Sequence, residues 1–349
     1  MSRSQMMPFI LNKDFERVAQ VDDYISFIWT QRFYAPGDFE LCCDIKYSQY
    51  IKKGGYVMRK NDQHAGIIEK INYKLTDDQQ EMIIASGRML PALLARRIIS
   101  NQTQLTGLVT ECIKLLVDEN ATNPVNPARI IPNLTFTINS QSTKEMDAQY
   151  TGENLLETLA SICETYSVGM DCILDQNNHF NFSIYDGKDR SIDQMVYPHV
   201  VFAQSYENLL NSEYEADYTL YSTDILVGGE GEGIYRTFVW SAKDSQSGLD
   251  RYEKFLDAST AVSNDQIITQ ETYEKQLEGL GLEELSEYTA AFSGEVDFTN
   301  VEIGKDIDVG DLCTIKNERW GMLVNTRLLE VIESVGEDGA YTILPTFGE

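Results

Sequence analysis

The sequence predicts an α+β chain in which β-strands outnumber helices. Segments with an apolar residue at every second position, the pattern of half-buried strands, occur in the first hundred residues and again after residue 200. Apolar residues with helical spacing are concentrated in residues 102–190. We therefore expect a β-rich region over 1–100 that ends in a closing helix, an α+β insert over 101–200, and a second β-rich region over 201–349 with a helical insertion.

The acidic composition limits the possible partners. The 349 residues carry a net charge of −27, with 55 acidic and 28 basic side chains. Binding duplex DNA needs clustered Lys and Arg, and an anionic membrane surface repels a negative chain, so neither partner is expected. No apolar run approaches the roughly 20 residues of a membrane span, and the N-terminus lacks a signal-peptide pattern. We expect a chain made and folded in a cytoplasm, whose charge either serves solubility or lets nucleic acid slide past without binding.

A hairpin is predicted near the N-terminus. Residues 24–34 are rich in β-branched and aromatic side chains, which favour a strand. A turn follows at 35–38, and apolar Phe39, Leu41 and Cys43 then alternate with acidic residues. These two strands are expected to pair in antiparallel fashion.

Three more strands and a compact helix complete the first region. The strands are predicted at residues 56–60, 66–73 and 81–85. At residues 87–88 the apolar period changes, and residues 89–98 follow helical spacing. This helix is expected to close the β-rich region.

The insert is predicted to combine helices with a pair of strands. Residues 102–119 and 152–168 each place apolar side chains on one face of a helix. Three prolines between residues 124 and 132 favour a turn region, because proline removes a backbone donor and fixes φ. Residues 170–175 and 179–185 then predict a strand, a turn and a strand.

The second β-rich region contains a glycine-rich stretch and a helical stretch. Residues 228–233 have the sequence GGEGEG, without a following Lys-Ser/Thr. Its two glutamates would repel phosphate, so a hairpin tip is favoured over a nucleotide-binding loop. Residues 265–288 predict a helix with an interruption at 279–281, and antiparallel strands follow to the end of the chain.

No cofactor or metal site is expected. The six cysteines form no C-x-x-C pair, and each has apolar neighbours, so small buried thiols are predicted. The histidines His64, His179 and His199 lie far apart and share no metal-ligand spacing.

The sequence also lacks a recognisable catalytic motif. Paired carboxylates of the kind that a glycosidase uses occur at Glu283-Glu284 and at Glu230 and Glu232. With 55 acidic residues, such pairs arise by chance. No G-x-S-x-G, H-E-x-x-H or Cys-His signature is present. The chain is therefore predicted not to be an enzyme.

Seven short segments, in order across nearly the whole chain, carry a resemblance to a known family. They are residues 32–41, 66–69, 85–98, 229–233, 247–255, 307–312 and 346–348. Together they resemble the tail hub or baseplate hub proteins of long-tailed bacteriophages and phage-tail-like contractile particles, including the N-terminal part of tail-associated lysins. The insert at residues 102–190 carries little recognisable motif. With the chain ending at Glu349, no lysin domain is expected to follow.

The resemblance implies two tube-type antiparallel β-barrel domains per subunit, with the mixed α+β insert between them. Three subunits would form a homotrimeric ring that adapts a hexameric tail tube to a trimeric spike or tip. The implied partners are the tail tube protein, the spike or tip protein and other baseplate proteins, with DNA passing the lumen without specific binding. The implied location is the tail of a virion, prophage particle or bacteriocin, assembled in a bacterial host cytoplasm.

Eight residues are expected to have structural roles in such a hub. They are Gly37, Asp38, Gly87, Arg88, Arg96, Arg97, Gly310 and Asp311. The two Gly-Asp pairs, Gly37-Asp38 and Gly310-Asp311, begin predicted strands and form a short internal echo. The three arginines are expected to pair with acidic neighbours.

Two other functions stay open at this point. One is a cell-wall hydrolase at the tail tip that uses carboxylates. The other is a carbohydrate-binding module of the tip, which would lie in the insert at residues 102–190.

Overall fold

The chain forms a mostly β structure with two compact units. The computed structural model describes residues 6–75, 79–259, 269–285, 289–298 and 301–348. One unit comprises Met1–Glu213 with Ser293–Glu349, and the other comprises Tyr214–Phe292. The structure is 41% strand and 21% helix, which confirms the prediction of a mostly β, α+β chain. The division at residues 100 and 200 stays a prediction.

Eight strands come first along the chain. In order they are β1 Pro8–Leu11, β2 Arg17–Gln20, β3 Ser26–Arg32, β4 Asp38–Asp44, β5 Tyr56–Arg59, β6 Ala65–Ile67, β7 Lys70–Leu75 and β8 Glu81–Arg88. The next part contains β9 Thr103–Leu108, α1 Val109–Val117, β10 Leu134–Ile138, β11 Glu145–Tyr150, α2 Leu155–Tyr166, β12 Gly169–Leu174 and β13 Phe180–Tyr185.

The remaining elements lead through the second unit and back to the first. They are β14 Val201–Ala203, β15 Leu209–Asp217, β16 Asp224–Gly228, β17 Phe238–Ser241, β18 Glu253–Asp257, α3 Gln270–Glu284, β19 Thr289–Val296, β20 Leu312–Asn317, β21 Met322–Val335 and β22 Tyr341–Gly348. No helix within the described residues is long and apolar enough to span a bilayer.

One sheet joins the two ends of the sequence. Its strands follow the order β15-β19-β22-β21-β3-β4-β8-β7, and β20 pairs with both β21 and β14. The predicted hairpin of β3 and β4 is confirmed, with Phe27 opposite Leu41. Strand β21 is 14 residues long; its first part pairs with β20 and its second part pairs with β3, where Val331 lies opposite Gln31.

This sheet is open rather than closed into a barrel. Its order ends at β15 and β7, and in the described part of the chain these two strands do not pair with each other. The other strands of the first unit form separate sheets, β2-β1-β5-β6, β10-β13-β12 and β11-β9. The two closed barrels implied by the resemblance are therefore not formed by the described residues.

Two apolar cores stabilise the first unit. One lies under the main sheet and contains Trp29, Phe39 and Leu41 at 0–2% exposure. The other is formed by α1, α2 and the strands of the insert, with Phe182 among its largest buried side chains. All six cysteines are free and buried, as predicted.

The predicted helix over residues 102–119 is wrong in its first half. Thr103–Leu108 form β9, which pairs with β11. Thr103 and Leu105 are buried while Gln104 and Thr106 are exposed, so pairing with a partner strand imposed a period of two on a sequence that also fits a helix.

The compact helix predicted at residues 89–98 is a 3₁₀ helix, Leu90–Arg96. Pro91 lies in its first turn, where the missing N–H leaves no hydrogen bond unmade. Leu90, Leu93 and Leu94 are buried against the insert core, so this short helix does close the strand region.

Helix α2 and the strand pair that follows it confirm the sequence prediction. The side-chain oxygen of Asn154 accepts from the N–H groups of Leu156 and Glu157, and Ser167 ends the helix in the left-handed conformation. Strands β12 and β13 are antiparallel. Strand β10, which pairs in parallel with β13, was not predicted because three nearby prolines favoured a loop.

The second unit is a three-stranded sheet covered by one helix. The order is β17-β16-β18, and residues 228–233 lie in the predicted β16–β17 connection. Helix α3 runs through residues 279–281 without the predicted interruption, while the rest of the predicted 265–288 stretch lies partly outside the described residues. A Cβ at Gly281 would lie 2.5 Å from the Ser241 Cβ, so this glycine allows the helix to approach β17.

Candidate functional site

The first unit contains a polar cleft of about 520 Å³. Its lining includes Arg32 at the end of β3, His64 after β5, Asp171 of β12, Tyr185 of β13 and Asp308 before β20. Charged side chains from distant parts of the sequence converge here. A concave polar site of this kind is the first place to look for chemistry.

His64 lies between two carboxylates at this cleft. Its Nδ1 is 2.6 Å from Asp62 Oδ1, and its Nε2 is 3.2 Å from Asp171 Oδ1. Burial alone would lower the pKa of His64, but the Asp171 and Asp62 carboxylates outweigh it and raise the pKa well above the usual 6.5. The two carboxylates therefore favour the protonated imidazolium over the neutral ring.

Asp62 also binds a largely buried arginine. Arg59 Nη2 is 2.7 Å from Asp62 Oδ2, and Arg59 also pairs with Glu333 of β21. Glu333 accepts from the Tyr341 hydroxyl at 2.7 Å, and the guanidinium lies over the Trp29 ring at 4.9 Å from its centroid. Each buried charge has an opposite partner, so the network fixes β5, β21 and β22 relative to one another.

The predicted pair Gly310-Asp311 anchors a turn. Asp311 is 2% exposed, and its carboxylate accepts from Arg190 Nε at 2.6 Å, Lys188 N at 2.7 Å and Asp308 N at 3.1 Å. Gly310 has φ of +95°, a conformation that favours glycine. The pair therefore ties the start of β20 to the segment after β13.

The predicted pair Gly37-Asp38 fixes the hairpin turn. A Cβ at Gly37 would overlap the carbonyl oxygen of Thr30. Asp38 accepts from Arg32 at 2.6 Å, and Arg32 also pairs with Glu330 of β21 at 2.5 Å. Three neighbouring strands are thus joined by one arginine.

The predicted pair Gly87-Arg88 lies at the end of β8. A Cβ at Gly87 would overlap the carbonyl oxygen of Ile67. Arg88 binds Glu69 through both Nε and Nη2, at 2.9 and 2.8 Å. This bidentate geometry gives the pair a defined orientation.

Arg96 and Arg97 have other surroundings. The Arg97 guanidinium donates to the carbonyl oxygens of Arg129 and Ile130. Arg96 is exposed, and its guanidinium forms no ion pair with the described residues. Among the three arginines, Arg88 is the one that pairs with a carboxylate; any part that they play in assembly stays a prediction.

The carboxylate pairs considered for a hydrolase belong to the second unit. Glu230 and Glu232 lie in the β16–β17 connection, and Glu283 and Glu284 lie at the end of α3, where Glu284 pairs with Lys254. Neither pair lines the polar cleft. Within the described ranges, no group of three or more His, Cys, Asp or Glu side chains is placed to hold a metal ion.

Sequence reasoning missed the ionic contacts of the cleft. His64 and Asp171 are 107 positions apart, and Arg190 and Asp311 are 121 positions apart. An apolar period or a short motif contains information only about residues that are close together in the sequence. Ion pairs between residues more than 100 positions apart therefore cannot be predicted from it. The one available hint was the Asp62-Gln-His64 turn, where the carboxylate accepts from the His64 N–H at 2.9 Å.

The chain matches one family over almost its entire length. The profile of the family described as Siphovirus ReqiPepy6 Gp37-like protein matches residues 7–349. No curated protein matches the chain in sequence.

Solved structures of phage tail proteins share the fold. The tail protein from Neisseria meningitidis MC58 is 13% identical, with 98% of this chain and 96% of that chain covered and a TM-score of 0.58. Prophage tail protein gp18 from Listeria monocytogenes EGD-e is 10% identical, with 98% and 94% covered and a TM-score of 0.57. The 43 kDa tail protein of prophage MuSo2 from Shewanella oneidensis is 15% identical, with 97% of both chains covered and a TM-score of 0.59. At these identities the likeness is one of fold.

Proposed function

Because the chain belongs to the Siphovirus ReqiPepy6 Gp37-like protein family, a family of siphovirus tail proteins, we propose that it is a structural hub of the tail. Three copies form a ring that adapts the hexameric tail tube to a trimeric spike or tip. The observation that carries this proposal is coverage: the family profile spans residues 7–349, so both units belong to the matched protein.

The ionic contacts of the first unit support a structural role. Arg32 and Arg59 each bind one carboxylate nearby in the N-terminal sequence, Asp38 and Asp62, and a second one on β21. At the polar cleft, Arg32 and His64 are thereby directed at carboxylates of the chain rather than at a ligand. Such a site holds strands in place, and we propose that the chain has no enzymatic activity.

The proposed partners are the tail tube protein, the spike or tip protein and other baseplate proteins. Three copies of a chain with a net charge of −27 give a strongly acidic ring. DNA that passes through such a ring is repelled from its wall and does not adsorb. The proposed location is the tail of a virion or of a phage-tail-like particle, assembled in the cytoplasm of the bacterial host.

A reconstruction of the particle tests this proposal. Three copies of the chain are expected at the junction of the tail tube and the tip, and light scattering of the purified protein is expected to show a trimer. Location elsewhere in the particle, or a strict monomer that cleaves peptidoglycan, would refute the hub.

One observation favours a second candidate, carbohydrate binding at the tail tip, in the second unit rather than in the insert at residues 102–190 where the sequence placed it. Phe238, Trp240 and Phe255 of the second unit are each about half exposed, at 48–51%. They alternate with Val239 and Leu256, which pack into the core under α3, so the rings lie on the outer face of the sheet. Exposed rings can stack on sugar faces, here in place of the Arg236 and Arg251 guanidinium groups that lie 4.8–5.5 Å from the three ring centroids.

Binding of purified host cell-wall polysaccharide, measured by calorimetry, tests this candidate. The wild type is expected to bind, and Trp240→Ala to bind at least about tenfold more weakly because a stacking ring is lost. Leu249→Ala, which removes another exposed apolar side chain of the same unit, is the matched control. Absence of wild-type binding would eliminate the carbohydrate role and leave the hub unaffected.

A further inference from the structure

The second unit contains a small pocket of about 390 Å³ that combines tyrosine rings with polar side chains. Tyr218 and Tyr221 line it from the segment before β16. Lys243, Asp244 and Gln246 line it from the segment after β17, and all three are exposed. Its volume lies within the range of roughly 300–1,000 Å³ that is usual for small-molecule sites.

The polar part of the pocket is held by a buried carboxylate. Asp224 is 2% exposed and accepts from the Ser245 hydroxyl at 2.8 Å. Arg251 pairs with the same carboxylate and donates to Ser245 Oγ at 3.1 Å and to the Gln246 carbonyl oxygen at 3.3 Å. Because Ser245 lies between Asp244 and Gln246 in the sequence, these bonds fix the backbone that carries both lining side chains.

The aromatic part of the pocket is fixed as well. The Tyr221 N–H donates to the Tyr218 carbonyl oxygen at 3.1 Å, and the Tyr221 ring packs on Tyr252 with centroids 5.1 Å apart. The rings of Tyr218 and Tyr221 meet at 77° with centroids 6.2 Å apart, so they form a corner rather than a flat surface. Tyr218 is 56% exposed, which leaves its ring open to a ligand from solvent.

The pocket adjoins the aromatic outer face of the same unit. Arg251, which holds the backbone of the pocket, has its guanidinium 4.8 Å from the centroid of the Trp240 ring. A polysaccharide chain that lies on the outer face is therefore within reach of the pocket.

We propose that this pocket binds one hexose unit of a neutral polysaccharide. The C–H face of the sugar ring packs on the Tyr218 ring. The sugar hydroxyls donate to the Asp244 carboxylate and accept from the Lys243 ammonium and the Gln246 amide. The inference rests on the carbohydrate-binding candidate, and it adds the charge class of the glycan and the place of one enclosed unit.

The charges of the lining favour a neutral ligand. Lys243 and Asp244 contribute one positive and one negative charge, so an anionic ligand meets the carboxylate and a cationic ligand meets the ammonium. A polyhydroxyl ligand uses both groups, because each of its hydroxyls can donate and accept a hydrogen bond.

Saturation-transfer difference NMR on the full chain tests the pocket with free glucose, galactose and mannose at millimolar concentration. Saturation of the ring protons of at least one hexose is expected. Tyr218→Ala is expected to weaken this binding about tenfold, because the stacking ring is lost. The matched control is Tyr235→Ala, which removes an 85% exposed tyrosine of the same unit from outside the pocket lining and is expected to bind as the wild type does.

The uronic acid of the bound hexose provides a comparison that needs no variant. The wild type is expected to bind it more weakly than the hexose, because the Asp244 carboxylate repels the added charge. Asp244→Asn is expected to reduce this difference. Asp250→Asn, at an exposed aspartate of the same unit that does not line the pocket, is expected to leave the difference unchanged.

Four results would overturn the proposal. They are absence of hexose binding by a chain that binds the cell-wall polysaccharide, equal hexose binding by Tyr218→Ala, uronic acid binding as tight as hexose binding, and tighter binding of adenosine than of any hexose. The first result removes the pocket and leaves the carbohydrate-binding candidate in place, and the last assigns the pocket to a nucleobase. Absence of both hexose and polysaccharide binding removes the candidate together with the pocket.

Discussion

At Gly87 the first unit has no room for a side chain. The carbonyl oxygen of Ile67 occupies the place of a Cβ, and that oxygen belongs to a backbone held in a sheet. A flexible side chain could move aside, but a strand cannot do so without breaking its pairing. The same restriction applies at Gly37 against the carbonyl oxygen of Thr30.

Gly87→Ala is therefore expected to destabilise the chain by about 1–3 kcal/mol, the usual cost of overpacking a core. Urea unfolding followed by circular dichroism measures this change. Ser86→Ala, at the neighbouring position of β8, is the control and is expected to change the free energy of unfolding by less than about 0.5 kcal/mol. Equal stability of the two variants would contradict the steric argument.

His64 predicts a dependence of stability on pH. Its folded pKa is raised well above 6.5 by Asp171 and Asp62, against the effect of burial. The imidazolium therefore stabilises the fold fully at pH values below the pKa of His64 in the unfolded chain. This contribution is lost as the pH rises through the pKa of His64 in the folded chain. The free energy of unfolding is expected to fall as the pH rises from about 6.5 through the folded-state pKa of His64.

Urea titrations across this range, on the wild type and His64→Gln, test the effect. The variant is expected to be less stable at pH 6 and to lose the decline above it. His179→Gln, at a more exposed histidine, is the control. A decline that persists in His64→Gln would assign the titration to another group.

At the scale of elements, much of the architecture could be predicted from local patterns. The β3–β4 hairpin, helix α2, the β12–β13 pair and the closing strands follow from apolar periods and turn residues. Strand β9 could not be predicted, because its residues also fit a helix. Pairing with β11 is what makes this segment a strand rather than a helix.

Helix α3 shows why a glycine is ambiguous in a sequence. Gly279 has open space around its Cα, whereas Gly281 faces Ser241 and Val227 of the sheet. Both suggested an interruption, yet one is merely tolerated and the other permits close packing. Helix propensity cannot distinguish the two glycines, because the difference depends on what packs against the helix in the folded structure.

The two glycines of α3 form a matched pair of variants. Gly279→Ala is expected to stabilise the second unit by about 0.5–1 kcal/mol through helix propensity. Gly281→Ala is expected to destabilise it by about 1–3 kcal/mol, because the new methyl group meets Ser241 and Val227. Thermal unfolding of both variants measures the difference, and two effects of the same sign would count against it.

At the scale of the whole molecule, the ionic contacts join segments that are far apart in the sequence. Arg32 and Glu330 are separated by 298 positions, and Arg59 and Glu333 by 274. The resemblance over seven short segments predicted the family correctly, but the polar cleft could not be predicted from it. Pairings at these distances are set by the complete fold.

The three arginines Arg88, Arg96 and Arg97 give a prediction for assembly. Replacing all three by alanine removes the bidentate pair with Glu69 and the bonds to the carbonyl groups of Arg129 and Ile130. Impaired folding or ring assembly is expected, measured by thermal unfolding and light scattering. Arg88→Lys alone, which keeps the charge, is expected to assemble, while normal assembly of the triple variant would argue against a structural role.

The pairing of β21 with β3 also determines when the main sheet can be completed during synthesis of the chain. At about 5–20 residues per second, a ribosome needs roughly 15–60 s to extend the chain from Arg32 to Glu330. During that interval β3 has β4 on one side and an open hydrogen-bonding edge on the other. Completion of the main sheet therefore waits for the synthesis of β21, and nascent chains stalled before residue 322 are expected to be the species that chaperones bind or that aggregate.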